Sequence, residues 1–63
     1  MRKINVMKQK DRASEWVIDY QGLFHKWFID SNGDTYAIVE KNNGNIDVVY
    51  YKQLRFTGDT VAL

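Results

Sequence analysis

Cysteine and proline are both absent from this chain of 63 residues, and histidine occurs once. Without cysteine there is no disulfide to staple a small fold and no thiolate metal site. One histidine cannot assemble a zinc site by itself. Without proline, every residue keeps its backbone N–H, so none is barred from a β-ladder on that account. No apolar stretch approaches the roughly twenty residues of a membrane-spanning helix. The basic N-terminus lacks the apolar core of a signal peptide. These absences lead to an expectation of a cytoplasmic protein with no membrane partner, held together by apolar and aromatic side chains.

Aromatic residues are what the chain has instead. There are nine of them: Trp16, Tyr20, Phe24, Trp27, Phe28, Tyr36, Tyr50, Tyr51 and Phe56. Each can bury roughly 150–250 Å². The length allows one domain at most, near the lower limit for unaided folding, so a homodimer is a second route to hiding apolar surface.

The organising stretch is FHKWFIDSNGDTYAIVEKNNGNIDVVYY, residues 24–51. Its three apolar runs are separated by Ser31-Asn32-Gly33-Asp34 and Asn42-Asn43-Gly44-Asn45. Asn-Gly between β-rich runs predicts hairpins, since both residues tolerate positive φ. An antiparallel meander follows. Upstream, strict alternation predicts a strand over residues 16–20, with Trp16, Ile18 and Tyr20 on one face. Gly22 then marks a turn, a bulge or a bend that lets one long strand continue. Over residues 23–29, Leu23, His25, Trp27 and Ile29 face one way, and Phe24, Lys26 and Phe28 the other. Residues 36–41 and 46–50 are separated by a loop of about four residues, a length typical of antiparallel hairpins. Tyr51-Lys52-Gln53 predicts a single 3₁₀ turn before a last strand over residues 54–57.

Five strands with apolar side chains on both faces predict an all-β fold: a small five-stranded antiparallel SH3-like barrel, residues 15–57, whose closure would hide both sheet edges. Residues 1–14 are read as a basic N-terminal arm or, because Ile4 and Val6 share a face when extended, as a short extra strand. Residues 58–63 are read as a tail, with Val61 and Leu63 placed to cover a barrel end.

The net charge of +1 hides an asymmetry. Residues 1–12 carry Arg2, Lys3, Lys8, Lys10 and Arg12 against Asp11, a net of +4, while residues 13–63 sum to −3. A basic arm of this kind can contact phosphate. It supports a nucleic-acid-binding alternative in which Lys26, Lys41, Lys52 and Arg55 stand beside exposed rings. Seven carboxylates in residues 13–63 work against a continuous positive groove. If the arm carries the binding, removing residues 1–12 abolishes it and leaves the fold intact.

His25 would need a nucleophile or a second titrating group for acid–base or covalent chemistry. Asp19 becomes its neighbour only if Gln21-Gly22 turns the chain, so a histidine paired with a carboxylate for structural reasons is the simpler expectation. Asp30, Asn32, Gly33 and Asp34 resemble the start of a calcium loop, but the twelve-residue span and its distant glutamate are missing. Turn capping accounts for the same residues. No catalytic residue, metal or other cofactor is expected.

Three blocks, Phe24-His25-Lys26-Trp27, Ala37-Ile38-Val39-Glu40 and Leu54-Arg55-Phe56, with Gly44 before Ile46, give the chain a resemblance over residues 22–56. It resembles a group of small uncharacterised proteins encoded by phages and prophages of Gram-positive bacteria. The resemblance implies a phage origin, a host-cell setting and no known enzymatic activity, and it transfers no site residue. Others in that group often carry a long insertion between the second and third strands, where this chain has only residues 30–34. Tyr36, Tyr50, Tyr51 and Trp27 are residue types that anchor protein interfaces. The expected function is therefore a non-enzymatic protein–protein interaction module, a phage factor that binds or inhibits a host protein, using Trp27, Tyr36, Tyr50 and Tyr51.

Overall fold

The computed structural model describes residues 1–11 and 15–60. Arg12 of the basic segment and the two apolar residues Val61 and Leu63 lie outside the described residues. The elements are β1 (Arg2–Gln9), β2 (Trp16–Ile29), β3 (Thr35–Lys41), β4 (Ile46–Tyr50), a 3₁₀ turn (Tyr51–Gln53) and β5 (Leu54–Thr60). They form one antiparallel sheet in the order β4-β3-β2-β1-β5. The hairpin from β3 to β4, the 3₁₀ turn and the all-β class agree with expectation.

The strands are assigned differently from the sequence reading. The two strands expected over residues 16–20 and 23–29 are one strand of 14 residues. Gly22 does not reverse the chain. It is where β2 changes partner: Trp16 to Phe24 pair with β1, and Gly22 to Ile29 pair with β3. A Cβ on Gly22 would stand 2.5 Å from the Glu40 carbonyl oxygen, so only glycine lets β3 come this close. The fifth strand is β1, and of the two expectations for residues 1–14 the strand is the one observed. β1 lies inside the sheet, between β2 and β5, with Ile4 and Val6 buried. A fold that survives loss of residues 1–12 is thereby corrected, because two core side chains and two ladders would go with them.

The sheet is open. β4 and β5 are its edges, so the ladder closure expected of a barrel is not present. The inner face gathers the core: Ile4, Val6, Ala37, Val39, Val49 and Leu54, with Tyr20, Phe24 and Phe56 packed against it.

Two bulges on β2 decide which side chains face the core. Val6 lies opposite Tyr20 but Met7 opposite Ile18, which leaves Asp19 as an extra residue. Phe24 lies opposite Val39 but Lys26 opposite Ile38, which leaves His25 extra. An extra residue reverses the alternation beyond it. Trp16 and Ile18 therefore leave the face of Tyr20 and are exposed, and the grouping of the three on one face is corrected. Phe24 and Trp27, expected on opposite faces, come together with ring centroids 5.0 Å apart.

Both Asn-Gly turns are built alike. Gly33 N–H donates to the Asp30 carbonyl at 3.1 Å and Gly44 N–H to the Lys41 carbonyl at 2.9 Å. Only the glycines have positive φ, +85° and +86°. The expectation that asparagine shares that conformation is corrected: each loop is a type I turn closed by a left-handed glycine.

Candidate protein-binding face

Successive residues of a strand point to opposite faces, and directly paired residues share one. The outer face of β2, β3 and β4 can therefore be read as rows. One row is Phe28, Tyr36 and Tyr50; the next is Lys26, Ile38 and Val48; the third is Leu23, Glu40 and Ile46. In the first row Phe28 stacks on Tyr36 at 5.4 Å and Tyr36 meets Tyr50 edge to face at 5.5 Å. Tyr50 in turn contacts Tyr51, the first residue of the 3₁₀ turn, at 4.9 Å. Four rings thus form a continuous band from the centre of the sheet to its β4 edge. Such ring contacts contribute about 0.5–1.5 kcal/mol each beyond area burial.

Below it the face is apolar along β4. Ile46 is 59 % exposed and Val48 51 %. The polar groups lie towards β2: Lys26, and a His25 ring nitrogen 3.0 Å from Glu40 Oε1. That pair is the structural partnership expected for the histidine. Asp19, the candidate second group, is 3.7 Å from Lys8 Nζ instead, because the bulges and the unbroken β2 keep it away from His25.

Of the four expected interface residues, the structure gathers three. Tyr36, Tyr50 and Tyr51 touch in series. Trp27 pairs with Ala37 and so belongs to the inner face, 45 % exposed at the end of the core. Its neighbours are Phe24 and Phe56. Tyr51, 44 % exposed at the corner, also joins Trp27 and Thr35 around an open hollow of about 330 Å³. Phe28, Ile38, Ile46 and Val48 were not among the expected site residues. The period-2 spacing from Tyr50 to Val48 and Ile46, and from Tyr36 to Ile38, was the signal for three of them.

Among the described residues, the candidate phosphate-binding side chains do not converge. Arg2 lies over the Phe56 ring, 3.7 Å from its centroid, on the inner side. Lys3, the next residue, is on the outer side beside a polar hollow of about 200 Å³ shared with Gln21, Asn42 and Thr57. Lys8 is paired with Asp19, and Lys10 sits in the hairpin where its N–H donates to the Glu15 carbonyl at 3.0 Å. A strand displays its charges alternately, and β1 divides them between two faces.

The inner side of β4 is tied down by one polar contact. Tyr20 Oη donates to Asp47 Oδ2 at 2.5 Å, and Lys41 Nζ lies 4.7 Å from the Tyr20 ring centroid. Burial first, then the bond and charge of Asp47, raise the Tyr20 phenol well above its ordinary value. The same bond holds the Asp47 carboxyl below the usual carboxylate range. Burial and the neighbouring Tyr51 raise the Tyr50 phenol.

Asp30 Oδ1 accepts N–H groups from Asn32 and Asp34, and Asn43 Oδ1 accepts from Asn45, so these side chains cap turns. Among the described residues no group of three or more His, Asp or Glu is placed to hold a metal. None of their helices is long and apolar enough to cross a membrane. No family model, no curated protein and no solved structure matches the chain.

Proposed function

We propose that this chain is a small non-enzymatic module that binds another protein through the outer face of β2, β3 and β4. The observation that carries the reading is the band Phe28, Tyr36, Tyr50 and Tyr51, continuous with half-exposed Ile46 and Val48. Packed aromatic rings beside aliphatic groups, with Lys26 and Glu40 in the adjoining rows, supply the apolar core and the polar groups of an interface. Rings already packed on one another lose little freedom on binding. The strand order, with one 3₁₀ turn between β4 and β5, favours a further reading of the sheet as an unclosed SH3-like barrel. The resemblance to phage and prophage proteins favours a host or phage protein, met in the cytoplasm of a bacterial cell, as the partner. The dispersal of Arg2, Lys3, Lys8 and Lys10 leaves nucleic-acid binding the less supported alternative.

The test compares the wild-type chain with a Tyr36→Ser/Tyr50→Ser double variant on a bacterial lysate, each with and without nuclease. Circular dichroism first checks that the variant is folded. One protein recovered by the wild type, kept after nuclease and cross-linked to the outer face, but lost by the variant, is the expected result. Recovery that disappears with nuclease, or is equal for both chains, refutes it.

A further inference from the structure

We infer that this face is extended by a second copy of the chain, joined edge to edge through β4. The inference deepens the proposed function and rests on it. It comes from the backbone of β4 as well as its side chains. Lys41 N–H donates to the Asn45 carbonyl at 2.8 Å. In an antiparallel ladder the residues that bond their neighbour alternate, so Asp47 and Val49 turn their backbone groups to β3. Ile46, Val48 and Tyr50 turn theirs outward, along the open edge.

These three residues also carry the exposed side chains of the outer face. The edge is thus apolar on its outer side and polar along its backbone. It has no proline, no lysine and no bulge, and its one charged residue, Asp47, points to the inner face, where it accepts from Tyr20. The opposite edge, β5, has two interruptions: the charge of Arg55 and Gly58 at φ +90°.

A two-fold axis through Val48 makes β4 complementary to itself. Val48 meets Val48 of the second copy, and Ile46 meets Tyr50 of the second copy on each side. All three pairs bring outward backbone groups opposite one another. The outer-face pairs are aliphatic or aromatic–β-branched, which are favourable, and no like charges oppose there. The aromatic band of one copy then runs into the Ile46 row of the other, forming a ten-stranded sheet. One exchange is required. Val48 N–H is held by Asp47 Oδ1 at 2.9 Å, and that donor passes to the carbonyl of the second copy. Five residues of edge bury less than the about 800 Å² per partner of a standard interface, so the dimer is reversible and concentration-dependent.

The test uses the position on the axis. Sedimentation equilibrium from about 10 μM to about 1 mM spans the range of a weak interface. The wild type is expected to move from the mass of one chain towards twice that mass. Val48→Lys and Val48→Glu each place like charges opposite themselves, and each is expected to weaken dimerisation at least tenfold. An equimolar mixture of the two is expected to restore it. Val48 is half exposed, so both variants should fold, and circular dichroism checks this. Amide exchange of the wild type provides a second measurement: the Ile46, Val48 and Tyr50 amides should slow as concentration rises. A wild type that stays monomeric at about 1 mM, variants that dimerise like the wild type, or a mixture that fails to recover each overturn the inference. If the chain stays monomeric while capture still depends on Tyr36 and Tyr50, the second copy fails and the proposed function stands. Loss of both removes both.

Discussion

Replacing Gly22 with alanine sets two physical effects of opposite sign against each other. In a strand interior, alanine restricts the unfolded chain more than glycine does, which should stabilise the fold by about 0.4–1 kcal/mol where the geometry allows it. Here the added Cβ would lie 2.5 Å from the Glu40 carbonyl oxygen and 3.3 Å from its carbon. Both atoms belong to the backbone of β3, so no side chain can rotate away. Ile4 Cδ1, 3.8 Å away, fills the space on the core side. β2 and β3 must therefore part at the point where β2 changes partner. Forcing a methyl group into a packed interior costs about 1–3 kcal/mol. The net expectation is a loss of about 1–2 kcal/mol, which in a domain of this size lowers the Tm by roughly 5–15 °C. Thermal melts followed by circular dichroism, with urea unfolding for the free energy, measure it directly. A Gly22→Ala chain as stable as the wild type, or more stable, would show that β3 does not approach β2 as described.

Other perturbations report on other contacts. Tyr20→Phe removes the donor to Asp47 and should cost about 1.5 kcal/mol, the lower end for a bond to a charged group because the site is partly exposed; urea unfolding at pH 7 checks it. The carboxyl of Asp47 is lowered in the fold, so its contribution is present above the ordinary carboxylate range and is lost as pH falls through the lowered value. The phenol of Tyr20 is raised, so its contribution is full below about 10 and is lost only at higher pH. Stability against pH should therefore lose part of its acid slope in Tyr20→Phe, and an unchanged profile would refute the linkage. Ile4→Ala should cost about 2–4 kcal/mol, and deletion of residues 1–9 should abolish the cooperative melt, because a core side chain and the middle of the sheet are removed. Gly44→Ala should cost about 1–2 kcal/mol at φ +86° while Gly44→Asn costs less, a difference that a denaturant series resolves.

Much of the fold was readable from short-range chemistry. The two Asn-Gly turns sit where the hairpins are, the β3–β4 pairing follows from its short loop, and Tyr51-Lys52-Gln53 forms the expected 3₁₀ turn. Of the candidate site, Tyr36, Tyr50 and Tyr51 were identified by residue type, and their contact follows from the hairpin register. Trp27, grouped with them by residue type, meets only Tyr51 of the three, across the open hollow. The extra residue at His25 turns it to the other face, and nothing in local alternation marks a bulge whose cause is the fit between two strands. β1 was harder still. Its eight residues are mostly charged or polar, and only Ile4 and Val6 reveal that it lies inside the sheet.

By itself the sequence determined the β class, the turn positions, the absence of any cysteine-based staple and the surplus of aromatic rings, because these depend on backbone preference and composition within a few residues. Tertiary structure alone decided which rings share a face, that the sheet stays open, and that the basic residues of β1 diverge. Those outcomes depend on register, on two single-residue bulges and on which strand lies next to which. Register and strand neighbours are set by packing between segments distant in the chain, and a one-residue shift there reverses every side chain beyond it.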